Sequence, residues 1–402
     1  MQEDQPPEPT VPSGAAPDRS VEGLVRSAVT WARPALIPVV AYLISRVMVL
    51  AAAGLATWIH PDLTIARVID GWDGGWYLTI AAHGYPATLA QAQGGGRWAF
   101  YPGVPAILHA AVVVTGMSYF RAGEVVGFVL GLTAVLSVWL AARQALGAVA
   151  ADRTAIFLCF FPAAYVLSMP YSEGLLLTAV GLCLYFLGRR SWLAAGLAAS
   201  VAGLSRDPGV VLILVCAVVG VREVVATRSW RPLIAVVTAP LGFLAWLVIQ
   251  WRETGNPLAF LHAGSYWGQG LQWFGYPVEA LWHLVSIPAI WGQANEVLGG
   301  LSVLFVLITA GMIVWEYAHG RGIPLSWSLY AAGAVLVALG THWGGSEPRY
   351  VMAAFPLLAI AAVRIPRRFE TPVIAGLAML EAALAVVAFT TLATSGTAPF
   401  AP

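Results

Sequence analysis

The sequence predicts an all-α polytopic membrane protein, and three observations carry that expectation. Of 402 residues, 59% are hydrophobic and only 10% are Asp, Glu, Lys or Arg, against about 25% charged residues in an ordinary soluble domain. Mean hydropathy is +0.76. Apolar stretches recur from about residue 35 to 393, most of them near the roughly 20 residues that one crossing takes. A soluble fold of this size would have too little charge to cover its surface, which excludes a cytosolic enzyme. A net charge of +1 argues against a nucleic-acid partner, which needs a basic patch. The basic residues are all Arg, a bias of a high-GC coding sequence more than of mechanism. Cys159, Cys183 and Cys216 lie inside apolar runs and read as small packing residues.

The chain opens on a polar tail, 1–33, rich in Pro (Pro6, Pro7, Pro9, Pro12, Pro17) and expected to be disordered. It lacks the basic start and short apolar core of a signal peptide. Arg19, Arg26 and Arg33 precede the first apolar run, 35–58, so the N-terminus is expected in the cytoplasm with the first helix as a signal anchor. Further candidate spans fall near 122–142, 153–169, 172–188, 191–205, 208–227, 233–251, 298–318, 324–341, 349–363 and 371–393. The segment 102–118 is ambiguous, and the arginines decide it. If it does not cross, Arg143, Arg153, Arg189, Arg190, Arg222, Arg228, Arg231, Arg321, Arg364, Arg367 and Arg368 all fall in the cytoplasm. If it crosses, nearly all of them move outside, against the positive-inside rule. The expectation is therefore eleven spans in one transmembrane domain, 34–398, with 102–118 juxtamembrane and the C-terminus outside.

That topology has a consequence that did not enter its derivation. The unusual polar clusters are all expected to face the extracytoplasmic side: 59–101, within the first loop 59–121; the turns 170–173 and 205–208; the long connection 252–297; and 341–350. A purely structural protein has no reason to gather them on one face, whereas a site does.

Directly after the first span comes Asp70-Gly71-Trp72-Asp73-Gly74-Gly75-Trp76-Tyr77. Trp76 to His83 reads as a short helix stopped by Gly84, with Pro86 beyond. Two carboxylates among indoles suit an interfacial anchor. They equally suit an Asp held at the membrane surface as a base for a lipid-borne substrate. The residues alone leave both open.

Trp72-Asp73-Gly74-Gly75-Trp76-Tyr77, then Ile80 to Tyr85, then Ala99-Phe100-Tyr101-Pro102-Gly103-Val104-Pro105 resemble the first-loop signature of PIG-V-like mannosyltransferases. These are relatives of GPI mannosyltransferase II within the GT-C class of membrane glycosyltransferases. Phe161-Pro162 with Pro170-Tyr171-Ser172-Glu173, Gly203-Leu204-Ser205-Arg206-Asp207-Pro208-Gly209, and Pro348-Arg349-Tyr350 with Phe355-Pro356 resemble later blocks of that family, in order. The family usually has Ser-Asn where this chain has Asp207-Pro208. The resemblance covers about residues 40 to 365. It implies a GT-C-type fold, about eleven transmembrane helices plus juxtamembrane helices in the first loop.

It also implies transfer of mannose from polyprenyl-phosphate-mannose to a lipid or glycan acceptor outside the membrane, with inversion at the anomeric carbon. Inversion needs one base, and the leaving phosphate needs no general acid. Asp73 matches the family's aspartate and is the candidate base; Asp70 is the second choice. The leaving phosphate gains negative charge, which a planar guanidinium fork suits. Arg349, among His342, Glu347 and Tyr350, is the first candidate for that role and Arg206 the second, although either also suits a snorkelling anchor. Glu173 is either a helix-start acid or a partner for sugar hydroxyls. Trp72, Tyr77, His83, Tyr85 and Tyr101 complete the first-loop candidates for sugar and acceptor binding.

The stretch 252–297 adds His262 and Trp267, beside Trp273, Trp282 and Trp291, as stacking and hydrogen-bonding candidates. A Trp-rich loop lying on a bilayer would need no ligand. The seven His are scattered without zinc-like spacing. Asp70 and Asp73 would suit magnesium at a phosphate site, but the resemblance implies a metal-free reaction, so no metal or other cofactor is expected. Arg46, inside the first span, needs a partner that the sequence does not name.

Overall fold

A computed structural model describes residues 33–271, 275–286, 294–319, 323–342 and 347–394. Apart from Arg33, the expected polar tail lies outside the described residues, as do Trp273 and Trp291. The described part of the short N-terminal unit is a 3-10 turn, Arg33–Ala35, leading into a helix. The rest, from Pro38 onward, is one compact unit. Among the described residues it is helical throughout except for a two-residue antiparallel pair, Gly270–Leu271 with Thr341–His342.

Each of the eleven expected segments is helical for most of its length. Among the described residues, six helices are long and apolar enough to cross a bilayer: Leu36–Ile59, Tyr119–Leu146, Asp207–Thr227, Leu233–Thr254, Gly299–Ala318 and Arg367–Thr391. At 1.5 Å per residue the first, with 24 residues, reaches about 36 Å, against a hydrocarbon thickness of about 30 Å. The other segments form shorter apolar helices, among them Ser172–Gly188, Trp192–Gly203, Leu325–Gly340 and Phe355–Arg364. The chain is a multi-pass membrane protein by this architecture.

Segment 102–118 becomes the helix Gly103–Thr115, ended by Gly116 in the left-handed region, φ 69°. His109 Nδ1, in the middle of this helix, lies 3.0 Å from the Ala81 carbonyl, and the Tyr119 hydroxyl, beyond its end, donates to the same oxygen at 3.2 Å. Both reach one carbonyl, which ties this helix and the start of Tyr119–Leu146 to the segment that contains Ala81.

Close helix packing at the centre relies on small residues. A Cβ at Gly131 would collide with the Leu167 carbonyl, and one at Gly174 would come 2.9 Å from Leu130 Cβ. These glycines let Tyr119–Leu146, Ser172–Gly188 and the 3-10 turn Ala164–Ser168 approach backbone to backbone. The sugar-like aromatic wealth of the first loop partly serves packing: Trp98, Tyr101 and Trp246 form a buried cluster with Tyr85 and Phe260 against it.

Arg46 finds its partner 335 positions away. Its Nη2 donates to Glu381 Oε1 at 3.2 Å and its Nη1 to the Ala164 carbonyl and Ser168 Oγ, at 2.9 and 2.8 Å. Ser45 Oγ donates to the Cys159 carbonyl at 2.6 Å and lies 3.0 Å from Glu381 Oε1. A buried charge within a span requires such compensation.

Charged contacts separate by end. Arg153–Glu370, Arg190–Glu223 and Arg364–Glu316 join helix ends on one side. Asp73, Glu173, Arg206 and Arg349 meet at the other.

Candidate active site

The first-loop carboxylate is positioned by a strained turn. Thr64 Oγ1 caps the helix Ile65–Ile69, accepting from the Arg67 N–H, and Asp70 ends it. Trp72 then adopts φ 53°, a left-handed conformation that is rare for a residue with a bulky side chain. Its indole N–H donates to the Ala388 carbonyl at 3.1 Å, holding the turn in place. Asp73 follows as the first residue of Asp73–His83, so the helix begins three residues earlier than the sequence predicts. Gly74 permits contact with the next block: a Cβ there would stand 3.1 Å from Pro170 Cγ. The Asp73 backbone N–H donates to the Tyr171 hydroxyl at 3.3 Å.

Three further elements bring charge to this point. Glu173 lies in the first turn of Ser172–Gly188. Arg206 is the extended residue before Asp207–Thr227, whose Pro208 suits a helix start. Arg349 lies in the short helix Glu347–Ala353. Arg349 Nη1 donates to Asp73 Oδ2 at 2.7 Å and stands 3.4 Å from Glu173 Oε1. Arg206 Nη1 pairs with the same Glu173 oxygen, and Arg206 Nε donates to the Tyr350 hydroxyl at 3.2 Å. Each guanidinium also lies over a ring: Arg206 at 4.4 Å from the Tyr350 centroid and Arg349 at 5.3 Å from that of Tyr171.

Exposure differs sharply across the cluster. The Glu173 side chain is 1% exposed and that of Arg349 5%, whereas Asp73 keeps 27% of its side-chain surface open. Burial works against the Arg349 charge, but the Asp73 and Glu173 carboxylates more than offset it and hold the guanidinium above its usual range. Arg206 is likewise held up by Glu173 against burial. Burial pushes the Tyr77 and Tyr101 phenols up, keeping both un-ionised. Tyr77 sits one turn beyond Asp73, within the field of Arg206, Asp73 and Glu173. Tyr101 donates to Asp207 Oδ1 at 2.6 Å.

Of the residues singled out in the sequence, Asp73, Glu173, Arg206, Arg349, Tyr350, Tyr77 and Tyr101 are thus drawn to one end and interlinked. Others go elsewhere. Asp70 is buried against Gly123 and Leu78, with no hydrogen-bond partner for either carboxylate oxygen among the described residues. Burial, with the Glu124 charge adding to it, pushes Asp70 up to about 8. Tyr85 stacks on Trp98 at 4.6 Å and donates to the Phe100 carbonyl, a packing role. His83 is exposed in the last turn of its helix.

His262 lies 2.8 Å from the Tyr266 hydroxyl, which donates to the Leu89 carbonyl and so fastens the 252–297 connection to the first loop. Trp267 does the same by donating to the Gly96 carbonyl, and it meets Trp76 edge-on at 5.3 Å. Trp72 serves the turn. The backbone of His342 pairs with Gly270 and Glu347 opens a helix; their side chains lie outside the described residues. Two members of the cluster were not singled out in the sequence: Tyr171, which accepts from the Asp73 N–H, and Asp207, which accepts from Tyr101. Both sit beside flagged residues, next to Ser172-Glu173 and to Arg206, and adjacency was the only available signal. Among the described residues, no three His, Cys, Asp or Glu side chains group as a metal site.

This arrangement of helices has known counterparts. It is similar to AglB, the oligosaccharyltransferase of Archaeoglobus fulgidus, solved in complex with an inhibitory peptide and a dolichol-phosphate. The TM-score is 0.51 at 13% identity, covering 92% of this chain and 57% of that one. A second structure of the Archaeoglobus fulgidus oligosaccharyltransferase, with Zn and sulfate, gives 0.50 at 15% identity over 87% and 53%. ArnT from Cupriavidus metallidurans in the apo state gives 0.50 at 15% identity over 90% and 76%. The chain spans little more than half the length of the oligosaccharyltransferases it matches. It has a GT-C-type fold. No protein-family model matches the sequence, and no curated protein matches it significantly.

Proposed function

We propose that this protein is an inverting membrane glycosyltransferase. It moves a sugar from a polyprenyl-phosphate donor to an acceptor hydroxyl, with Asp73 as base and Arg349, aided by Arg206, at the donor phosphate. One observation carries the reading: a partly open Asp73 carboxylate lies 2.7 Å from a buried arginine, at the end of the bundle where the first loop folds over. Fold alone does not assign chemistry, so the weight rests on this cluster. The solved complex of AglB with dolichol-phosphate supports a lipid-phosphate donor for the same architecture.

The acceptor hydroxyl attacks the anomeric carbon in line with the bond to the phosphate oxygen. Its proton goes to Asp73; the electron pair of the breaking bond leaves on the phosphate, which gains a negative charge that Arg349 and Arg206 receive. Tyr77, Tyr101 and Tyr350 stay protonated, able to position hydroxyls without competing for the proton. Trp267, 42% exposed, with Trp76 and Phe100 offers an aromatic wall for the acceptor.

Mannose is the proposed sugar, on the resemblance of the Trp72–Tyr77 block to PIG-V-like enzymes. Another polyprenyl-linked sugar, arabinose or glucose, is the second reading, because the cluster addresses phosphate and proton and leaves hydroxyl stereochemistry open. The chemistry is proposed to need no metal: the carboxylates at the site already face guanidinium partners, and transfer should survive EDTA. The site is proposed to face outward with the N-terminus inside, because Arg143, Arg189, Arg228, Arg367 and Arg368 flank helix ends opposite to it.

The test is transfer itself. Detergent-purified protein receives radiolabelled polyprenyl-phosphate-mannose and a crude lipid extract, beside Asp73→Asn. Label moving to a new lipid with the wild type alone supports the reaction and the base. Label moving only from the arabinose or glucose donor replaces mannose. Equal transfer by Asp73→Asn sinks the base.

A further inference from the structure

Both guanidiniums of the cluster are already committed. Arg349 is held by Asp73 and Glu173, and Arg206 by Glu173 and Tyr350. An anion that reaches Arg349 through Nη1 therefore competes with the carboxylates already held there.

The two carboxylates are not equally replaceable. Glu173 is 1% exposed and faces both guanidiniums; removing it from the pair strands buried charge, which is strongly unfavourable. Asp73 is 27% exposed. It also starts a helix of 11 residues, where the helix dipole sustains a carboxylate that has lost its guanidinium. A phosphate oxygen fits the same fork as a carboxylate oxygen, so one can take the other's place without rebuilding the site.

We infer that the Asp73–Arg349 ion pair is a resting-state lock that the donor's phosphate opens. The phosphate takes over Arg349, and Asp73 Oδ2, released, accepts the proton of the incoming hydroxyl. No covalent bond changes in the exchange: one ion pair replaces another, and Asp73 stays ionised until the acceptor attacks. Donor therefore binds before acceptor, and the base is exposed only where a sugar phosphate is in place. This rests on the assignment of Arg349 to the donor phosphate made above.

The lock makes a prediction that a simple base does not. Removing the Asp73 charge abolishes transfer, yet it strengthens binding of an isoprenoid phosphate, because the competitor for Arg349 is gone. Farnesyl phosphate is titrated calorimetrically into the detergent-purified full chain, with farnesol as the control for the lipid tail alone. Asp73→Asn is expected to tighten farnesyl phosphate roughly three- to tenfold, the scale of losing one partly exposed competing ion pair. Asp73→Ser should tighten it similarly, which separates loss of charge from any contact of the new amide and covers a variant that fails to fold. Farnesol binding should not change. Unchanged or weaker farnesyl phosphate binding in both folded Asp73 variants overturns the lock. Wild-type binding by Arg349→Gln and Arg349→Lys overturns instead the phosphate assignment beneath it.

Discussion

Arg349 Nη1 donates to Asp73 Oδ2 at 2.7 Å across 276 positions of sequence. The contact joins the first loop to the last polar block of the chain. Glu173, between them, binds Arg206 as well, so four elements converge on two carboxylates and two guanidiniums.

Asp73→Asn should reduce transfer about 10²- to 10⁴-fold, the usual contribution of a positioned base. Its thermal unfolding should stay close to wild type, because the carboxylate is partly open and an amide keeps its shape. Initial rates beside a melting curve in detergent check both, and a large fall in melting temperature would move Asp73 from chemistry to structure.

Glu173→Gln should behave differently. Its carboxylate is buried and faces both arginines, so removing the charge leaves two buried cations short of compensation, at about 3–5 kcal/mol. A lower melting temperature together with weaker donor binding is expected. A variant as stable as wild type would show that Glu173 does not hold the pair.

Arg46 and Glu381 form the same kind of contact within the membrane-spanning helices. Arg46→Met and Glu381→Leu should each destabilise by about 3–5 kcal/mol, whereas the double variant should recover most of the loss. A double-mutant cycle on melting temperatures measures this; strictly additive losses would rule out coupling.

Asp70 gives a pH dependence of defined sign. It is pushed up to about 8 by burial, whereas in the unfolded chain it titrates near 4. Between those values the folded state holds a proton that the unfolded state has lost, so stability falls as pH rises, by up to about 1.4 kcal/mol per pH unit. Below that window the slope vanishes, and above about 8 it levels off. Asp70→Asn should flatten the slope in melting temperature measured from pH 5 to 8 and leave transfer active. An unchanged slope would place the ionisation elsewhere.

Much of this molecule was legible in its residues. The eleven apolar segments became helices because hydrophobicity and the need to satisfy backbone hydrogen bonds in lipid are local requirements. The arginine asymmetry predicts 102–118 as juxtamembrane; in the structure its helix packs through His109 on Ala81, beside Tyr119. The same asymmetry groups 59–101, 170–173, 205–208 and 341–350 on one side, and Tyr101, Asp207, Glu173, Arg206 and Arg349 from these segments do meet. The helix at Asp73 began earlier than expected, because the Trp72 turn, anchored to Ala388, sets its start and no local signal encodes that anchor.

What composition and pattern determined is which segments are helical and which polar segments collect together. Only the tertiary structure decided which charge meets which. It turned Asp73 toward Arg349 and buried Asp70 against Gly123, three residues away. It gave Arg46 a partner in Glu381, and it made Tyr85 and Trp72 supports instead of ligand contacts. Segregation by side follows from solvation, which each segment feels alone. Pairing depends on the rotation of each helix about its axis and on small-residue contacts such as Gly131 with Leu167, which exist only once segments distant in sequence have packed.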